Sequence, residues 1–179
     1  YSEKDAKRIK WLFGRINAAN GRFAVWGNHD KNIDGSINSY SEEFIEKNEY
    51  RLLDNEGEHL MQGVYLAGVD EKRRGNPDIE KALKNKNDGD YVILLAHEPD
   101  FADISAEHGV DLQISGHSHG GQIYIPFTGS LFLTEETKKY YRGAHKIKNT
   151  DLLITYGVGT HTLPFRFLAP PDIILIEYK

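Results

Sequence analysis

Three short apolar segments each run straight into a turn that carries histidine, and this arrangement constrains the fold more than any other feature of the chain. Phe23–Trp26 leads into Gly27-Asn28-His29-Asp30, Tyr91–Ala96 into His97-Glu98-Pro99, and Val110–Ser115 into Gly116-His117-Ser118-His119-Gly120-Gly121. Segments this short, bounded by turn residues, read as strands. Tyr91–Ala96 is apolar on both faces, the pattern of a strand buried inside a sheet. In open α/β sheets ligands bind beyond the carboxyl ends of the strands. If the three strands lie parallel and adjacent, Asn28, His29, His97, His117 and His119 converge on one spot.

The rest of the chain supplies layers for such a sheet. Ala6, Ile9, Leu12, Phe13 and Ile16 follow a helical period, with Ser2 and Asp5 as a capping box and Asn20-Gly21 as the stop. Ser41 is read as the cap of a helix containing Phe44 and Ile45. Residues 58–69 read as one or two strands with a glycine break, and Asn76-Pro77-Asp78 opens a helix burying Ile79, Ala82 and Leu83. Pro99–His108 reads as a short helix stopped by Gly109. Strands are expected at Gln122–Ile125, Ala144–Ile147, Leu152–Tyr156 and Ile173–Tyr178. Alternation first and strands later predict an α/β layered sandwich with a mixed sheet.

Composition narrows the chemistry. The 179 residues include no Cys, which excludes thiolate nucleophiles, disulfides and Cys-type zinc sites. A net charge of −5 gives no global basic surface, so bulk nucleic-acid binding is not expected. The longest apolar run, Tyr91–Ala96, is far short of the ~20 residues of a membrane helix. What remains is imidazole, amide and carboxylate chemistry. Neutral imidazoles and an amide oxygen suit Mn, Fe or Zn, and with carboxylates they build two-metal hydrolytic centres. His117 and His119 are two apart, so an extended backbone would point both the same way. His29 beside Asp30 suits a general acid whose protonated form the carboxylate stabilises.

Other polar groups carry plainer readings. His59, His108 and His145 read as surface or satisfied core residues, and Lys72-Arg73-Arg74, Lys138-Lys139 and Arg142 as solvated positions, with the first run also able to attract an anion. Asp70 reads as a turn residue or a hydrogen-bonding support, and His161 as a residue lining the cleft or, more simply, a turn residue. The apolar stretch Ile123–Leu133 reads as core packing or as an apolar lip for a lipid-like substrate or membrane surface.

On these residues the sequence resembles the calcineurin-like metallophosphoesterase superfamily. GNHD at 27–30, the isolated His97 and GHSH at 116–119 match three of its motifs in order. The strings GHSHGGQIYIP and YGVGTHTLPFRFLAPPDIILIEY resemble a bacterial, often membrane-associated phosphodiesterase branch. The resemblance implies an αββα sandwich with mixed sheets and two divalent metal ions (Mn, Fe or Zn). Asn28, His97 and His117 would hold one metal and His119 the other. His29 would contact the phosphate and protonate the leaving group, with Asp30 orienting it. A metal-activated hydroxide would attack phosphorus in a small phosphoester or phospholipid-like substrate, and a membrane-associated or exported location is implied over a cytoplasmic one.

Two family motifs, an Asp-x-His and a Gly-Asp that precede GNHD, are absent; Gly89-Asp90 follows it and is out of order. Residues 1–179 are therefore expected to be a single domain, the C-terminal part of a metallophosphoesterase domain with its first strands missing and an exposed apolar sheet edge left behind. The expected function is metal-dependent phosphoester hydrolysis, with a truncated, non-catalytic metal- or partner-binding module as the alternative.

Overall fold

The computed structural model describes residues 11, 13–16, 18–131 and 133–177. The helix expected at the start of the chain lies mostly outside these residues. In chain order the elements are β1 (Phe23–Ala24), α1 (Ser39–Lys47), β2 (Arg51–Leu52), β3 (Glu56–Met61), β4 (Val64–Gly68), α2 (Ile79–Ala82), β5 (Tyr91–Leu95), α3 (Ala102–Glu107), β6 (Leu112–Ser115), β7 (Tyr124–Ile125), β8 (Gly129–Ser130), β9 (Gly143–Ile147) and β10 (Thr150–Ile154), with 3₁₀ turns at Pro99–Phe101, His119–Gly121 and Glu135–Thr137. The fold is α/β with a mixed sheet, as the alternation of elements implies.

The main sheet has six strands in the order β3-β4-β5-β6-β10-β9. β4, β5, β6 and β10 are parallel, and antiparallel β3 and β9 close the two edges. All of β4 is buried. Tyr65, Ala67 and Val69 of this strand segment pack with Val92 and Leu94 of β5 and with Ile79, Ala82 and Leu83 around α2. Asp78 caps α2 by accepting the Lys81 N–H, as an N-cap carboxylate should. A second small cluster joins Ala102 of α3 to Leu152 and Ile154 of β10. Four parallel strands thus end at one edge, followed there by Asp70, His97, Gly116 and Thr155.

Several expectations are corrected. Phe23–Trp26 does not join the main sheet: β1 pairs in parallel with β2 in a separate two-stranded ribbon, in which Trp26 is buried and Phe23, Ala24 and Val25 are half-buried. The outer strands of the main sheet carry Glu56 and Glu58 on β3 and Lys146 on β9. Helix α1 is capped by Asn38, whose side chain accepts the Ser41 N–H; Ser41 instead donates to Asp30. Residues 173–177 form no strand, because no neighbouring strand pairs with them among the described residues, and Ile173 and Leu175 face solvent.

A buried ion pair ties the ribbon to the sheet. Lys31 Nζ lies 2.5 and 2.6 Å from the two oxygens of Asp70. Asp70 follows β4 and also accepts the backbone N–H groups of Glu71 and Asn76, so it is fully satisfied. Removing one partner strands the other charge in the interior, which costs about 3–5 kcal/mol. Asp70→Ala should therefore lower the urea midpoint strongly, and Lys31→Met with Asp70→Leu should recover much of the loss. A single variant with unchanged stability would show that the pair is not a structural tie.

Candidate metal centre

Register puts two of the histidine turns side by side. β5 and β6 pair Leu95 with Ile114, and the ladder continues through Ala96 N to Ile114 O and Gly116 N to His97 O. His97 and His117 therefore leave the sheet at the same level, with ring centroids 4.7 Å apart. The buried Gln113 side chain donates to Glu98 O and Ser115 Oγ, fixing the base of the His97 turn.

The Asn28 turn reaches this pair from the ribbon. Asn28 is 3% exposed, and its Oδ1 stands 3.1 Å from His97 Nε2. The approach needs a glycine before it: a Cβ on Gly27 would lie 2.7 Å from His97 Cε1. Arg74 Nη1 donates to the carbonyls of Asn28 and Lys31, holding the turn from outside. Asp30 acts on His29 by its charge, which raises the imidazole pKa against the stronger lowering effect of burial. Its two oxygens accept Gly27 N at 2.8 Å and Ser41 Oγ at 2.6 Å, so Asp30 shapes the turn that carries His29.

The His117-Ser118-His119 backbone is not extended. His117 and His119 have φ of +63° and +52°, and Ser118 between them is helical, so the alternation of an extended strand does not apply to them. His117 faces His97, with Nε2 2.9 Å from Thr134 Oγ1 and 3.7 Å from Glu136 Oε2. His119 lies beside His161, with 6.4 Å between ring centroids. A Cβ at Gly120 would fall 2.5 Å from Tyr156 Cγ, which is why the turn needs glycine there.

The electrostatics favour neutral imidazoles. Burial pulls His97 down to about 3, helped by the neighbouring His117. Burial also lowers His119 to about 4, with the Arg166 guanidinium adding to it. His117 is lowered by burial despite the opposing Glu136 carboxylate, and His29 by burial with His161 and Arg74 beside it. Glu98, 2% exposed, is pushed up to about 7 by burial, and its Oε1 has no hydrogen-bond partner among the described residues. An amide oxygen and two neutral imidazoles packed against one another fit a divalent ion, since only neutral imidazole offers a lone pair. No three His, Asp or Glu side chains among the described residues close on one point at metal-ligand spacing.

A model of the calcineurin-like phosphoesterase family matches residues 4–121. The chain belongs to this family. It is 35% identical to the metallophosphoesterase YkuE of Bacillus subtilis, over 94% of this chain and 59% of that protein. It is 33% identical to a metallophosphoesterase of Aquifex aeolicus, over 98% of this chain and 67% of that protein, and 26% identical to the phosphodiesterase YaeI of Escherichia coli, over 87% and 57%. No solved structure matches. The chain thus spans well under two thirds of the YkuE and YaeI lengths. Calcineurin-like phosphoesterases use divalent metal ions.

Some site-forming residues give no signal in the sequence. Arg74 sits in a run that reads as solvated, yet it holds the Asn28 turn. Arg166 donates to the carbonyls of His119, Tyr156, Gly157, Gly159 and Ala169. Gln122 donates to the carbonyls of His161, Leu163 and Phe165. The quieter histidines are satisfied locally, His59 by Asp90, His108 by Ile104 O and His145 by Arg142 O.

The pKa shifts fix the sign of an acid effect. Between pH 6.5 and 4.5 the unfolded chain holds protons on His97 and His119 that the folded chain lacks, while the folded chain holds one on Glu98 that the unfolded chain lacks. His29 and His117 are lowered as well, so the unfolded state takes up more protons than the folded state and stability falls as pH drops through this window. Urea midpoints of the metal-free protein at pH 6.5 and 5 check this; an equal or higher midpoint at pH 5 would contradict it.

Proposed function

We propose that the complete protein hydrolyses phosphodiesters at this centre. The observation that carries the reading is the meeting of Asn28, His97 and His117 at the carboxyl edge of a parallel sheet, with His29 and His119 on the turns that bring them there. Asn28, His97 and His117 would hold one divalent ion and His119 a second. Bound metals supply the Lewis acidity that activates water and offsets charge on the phosphate.

His29 is the proposed general acid. It stands at the solvent-facing rim, on a turn fixed by Asp30, Arg74 and the Asn38 side chain, which donates to His29 O at 2.9 Å. Burial, followed by His161, Arg74 and Arg73, lowers its pKa against the raising effect of Asp30. A phosphate seated among them reverses that balance and favours the protonated ring, so His29 would arrive charged and hand its proton to the departing alkoxide. That a relative is named a phosphodiesterase supports the diester over the monoester.

A lipid-like substrate is the second part of the proposal. Ile123 is buried, but the β7–β8 hairpin beyond it lifts Phe127 fully into solvent. Tyr124 N donates to Phe167 O and Phe167 N to Gln122 O, which sets the hairpin beside exposed Phe165, Phe167 and Leu168. These exposed apolar groups border the segment that carries His161, and such a rim suits acyl chains or a membrane surface. No helix among the described residues is long and apolar enough to cross a membrane.

In the full-length protein, His29→Asn should cut turnover of an aryl phosphodiester by about 10²–10⁴-fold at unchanged metal content. Normal turnover would remove the acid assignment, and no hydrolysis by the metal-loaded wild type would favour a non-catalytic binding module. Phe127→Asp should reduce retention on anionic phospholipid vesicles; no retention of the wild type would remove the lipid reading.

A further inference from the structure

We propose that His161 is a further substrate-contacting residue, an imidazole that donates to a phosphoryl oxygen of the bound ester beside His29. The inference rests on the phosphodiesterase reading above and adds a residue to its site. His161 follows Gly157-Val158-Gly159-Thr160, where nothing in the pattern demands more than a turn. Its ring nonetheless lies 5.2 Å from that of His29 and 6.4 Å from that of His119, between centroids. Three imidazoles from three separate segments therefore line one stretch of the site. Rings at the His29–His161 spacing can each donate to a different oxygen of one tetrahedral phosphoryl group.

The placement is built rather than incidental. Gln122 directly follows the Gly116–Gly121 turn and is buried. Its Oε1 accepts His161 N at 2.6 Å, and its Nε2 donates to His161 O at 2.8 Å, to Leu163 O and to Phe165 O. One amide thus fixes His161 by both its backbone groups. Arg166 adds a second clamp, joining His119 O to the carbonyls of Tyr156, Gly157 and Gly159. The turn that aims His119 and the segment that carries His161 are consequently one unit. This machinery holds the backbone only, so it does not explain a histidine side chain at the position.

The side chain is set up for donation. His161 Nδ1 lies 2.8 Å from Thr162 Oγ1. With the hydroxyl donating to Nδ1, the ring proton resides on Nε2. The ring is exposed, so Nε2 is open to a ligand. The surroundings suit an anion: Arg73 and Arg74 act electrostatically on His29. Both arginine amides are held by the buried carboxylate of Glu71, at 2.9 and 2.7 Å, so the cationic loop is fixed in place.

The test uses the full-length, zinc-loaded protein with two probes, inorganic phosphate binding by calorimetry and hydrolysis of an aryl phosphodiester. Because the clamps act on the backbone, His161→Ala should keep its metal content and urea midpoint. It should weaken phosphate binding about tenfold and lower kcat/KM by about ten- to a hundredfold. His161→Gln, which keeps an N–H, should recover part of both. If His161→Ala binds phosphate and turns over like the wild type, the assignment of His161 is wrong and the phosphodiesterase reading stands. If the wild type neither binds phosphate nor hydrolyses the ester, the phosphodiesterase reading falls and this inference with it.

Discussion

The buried pair between Lys31 and Asp70 is the tie on which the geometry of the centre depends. β5 and β6 place His97 and His117 by register alone, because hydrogen-bonded parallel neighbours carry their carboxyl-end residues to one level. The Asn28 turn has no such help, since β1 belongs to a different ribbon. Its position over His97 is set by side chains: Lys31 to Asp70, and Arg74 to the carbonyls of Asn28 and Lys31. A buried ion pair is weak evidence for stability, because desolvation offsets much of the Coulomb gain. It is much better at fixing a position. Asp70 has a full set of partners and can be satisfied in one arrangement only.

The same packing sets stability against chemistry. Clustered, desolvated imidazoles must stay neutral to fold, which makes the metal-free fold weaker as pH falls. Neutral imidazole is also the form that can bind a metal, so the burial that weakens the fold in acid keeps these rings in that form. Glu98 shows the cost from the other side. It is buried beside His97, takes the Lys72 backbone N–H and keeps Oε1 without a partner among the described residues. A carboxyl so placed holds its proton to about pH 7, so it adds little negative charge behind the imidazoles.

What the sequence discloses is what has a short period or a short motif. The doubly apolar run Tyr91–Ala96 announces a sheet interior, Asn76-Pro77-Asp78 announces the start of α2, and the histidine turns announce the edge where they meet. Local geometry inside those turns is less legible. The alternation His-x-His suggests an extended backbone, but His117 and His119 adopt left-handed values, a local conformation that the alternation does not reveal. Asn38 displaces Ser41 as a cap because Ser41 is needed by Asp30, a contact eleven residues away. Arg74, Gln122 and Arg166 escape sequence reading altogether. Each acts by donating to backbone carbonyls, which every residue possesses, so no partner residue marks the contact in the chain.

These unannounced donors also divide the labour of the molecule. The family match over 4–121 contains the turns that present Asn28, His29, His97, His117 and His119. Gln122 begins where it ends, and from there the described chain folds back over the same edge. Segments attached by a few strong side-chain clamps, rather than by a ladder of strand pairs, can change sequence without disturbing the sheet. The apolar hairpin and the 157–169 segment are of that kind, joined to the centre through Gln122 and Arg166. The His97 and His117 turns are instead bound into the ends of paired strands, where a shift in one would unseat the register of its neighbour. Chemistry common to a family therefore belongs on the strand ends, and whatever distinguishes one member's substrate belongs on the clamped rim, where His161 and the exposed phenylalanines stand.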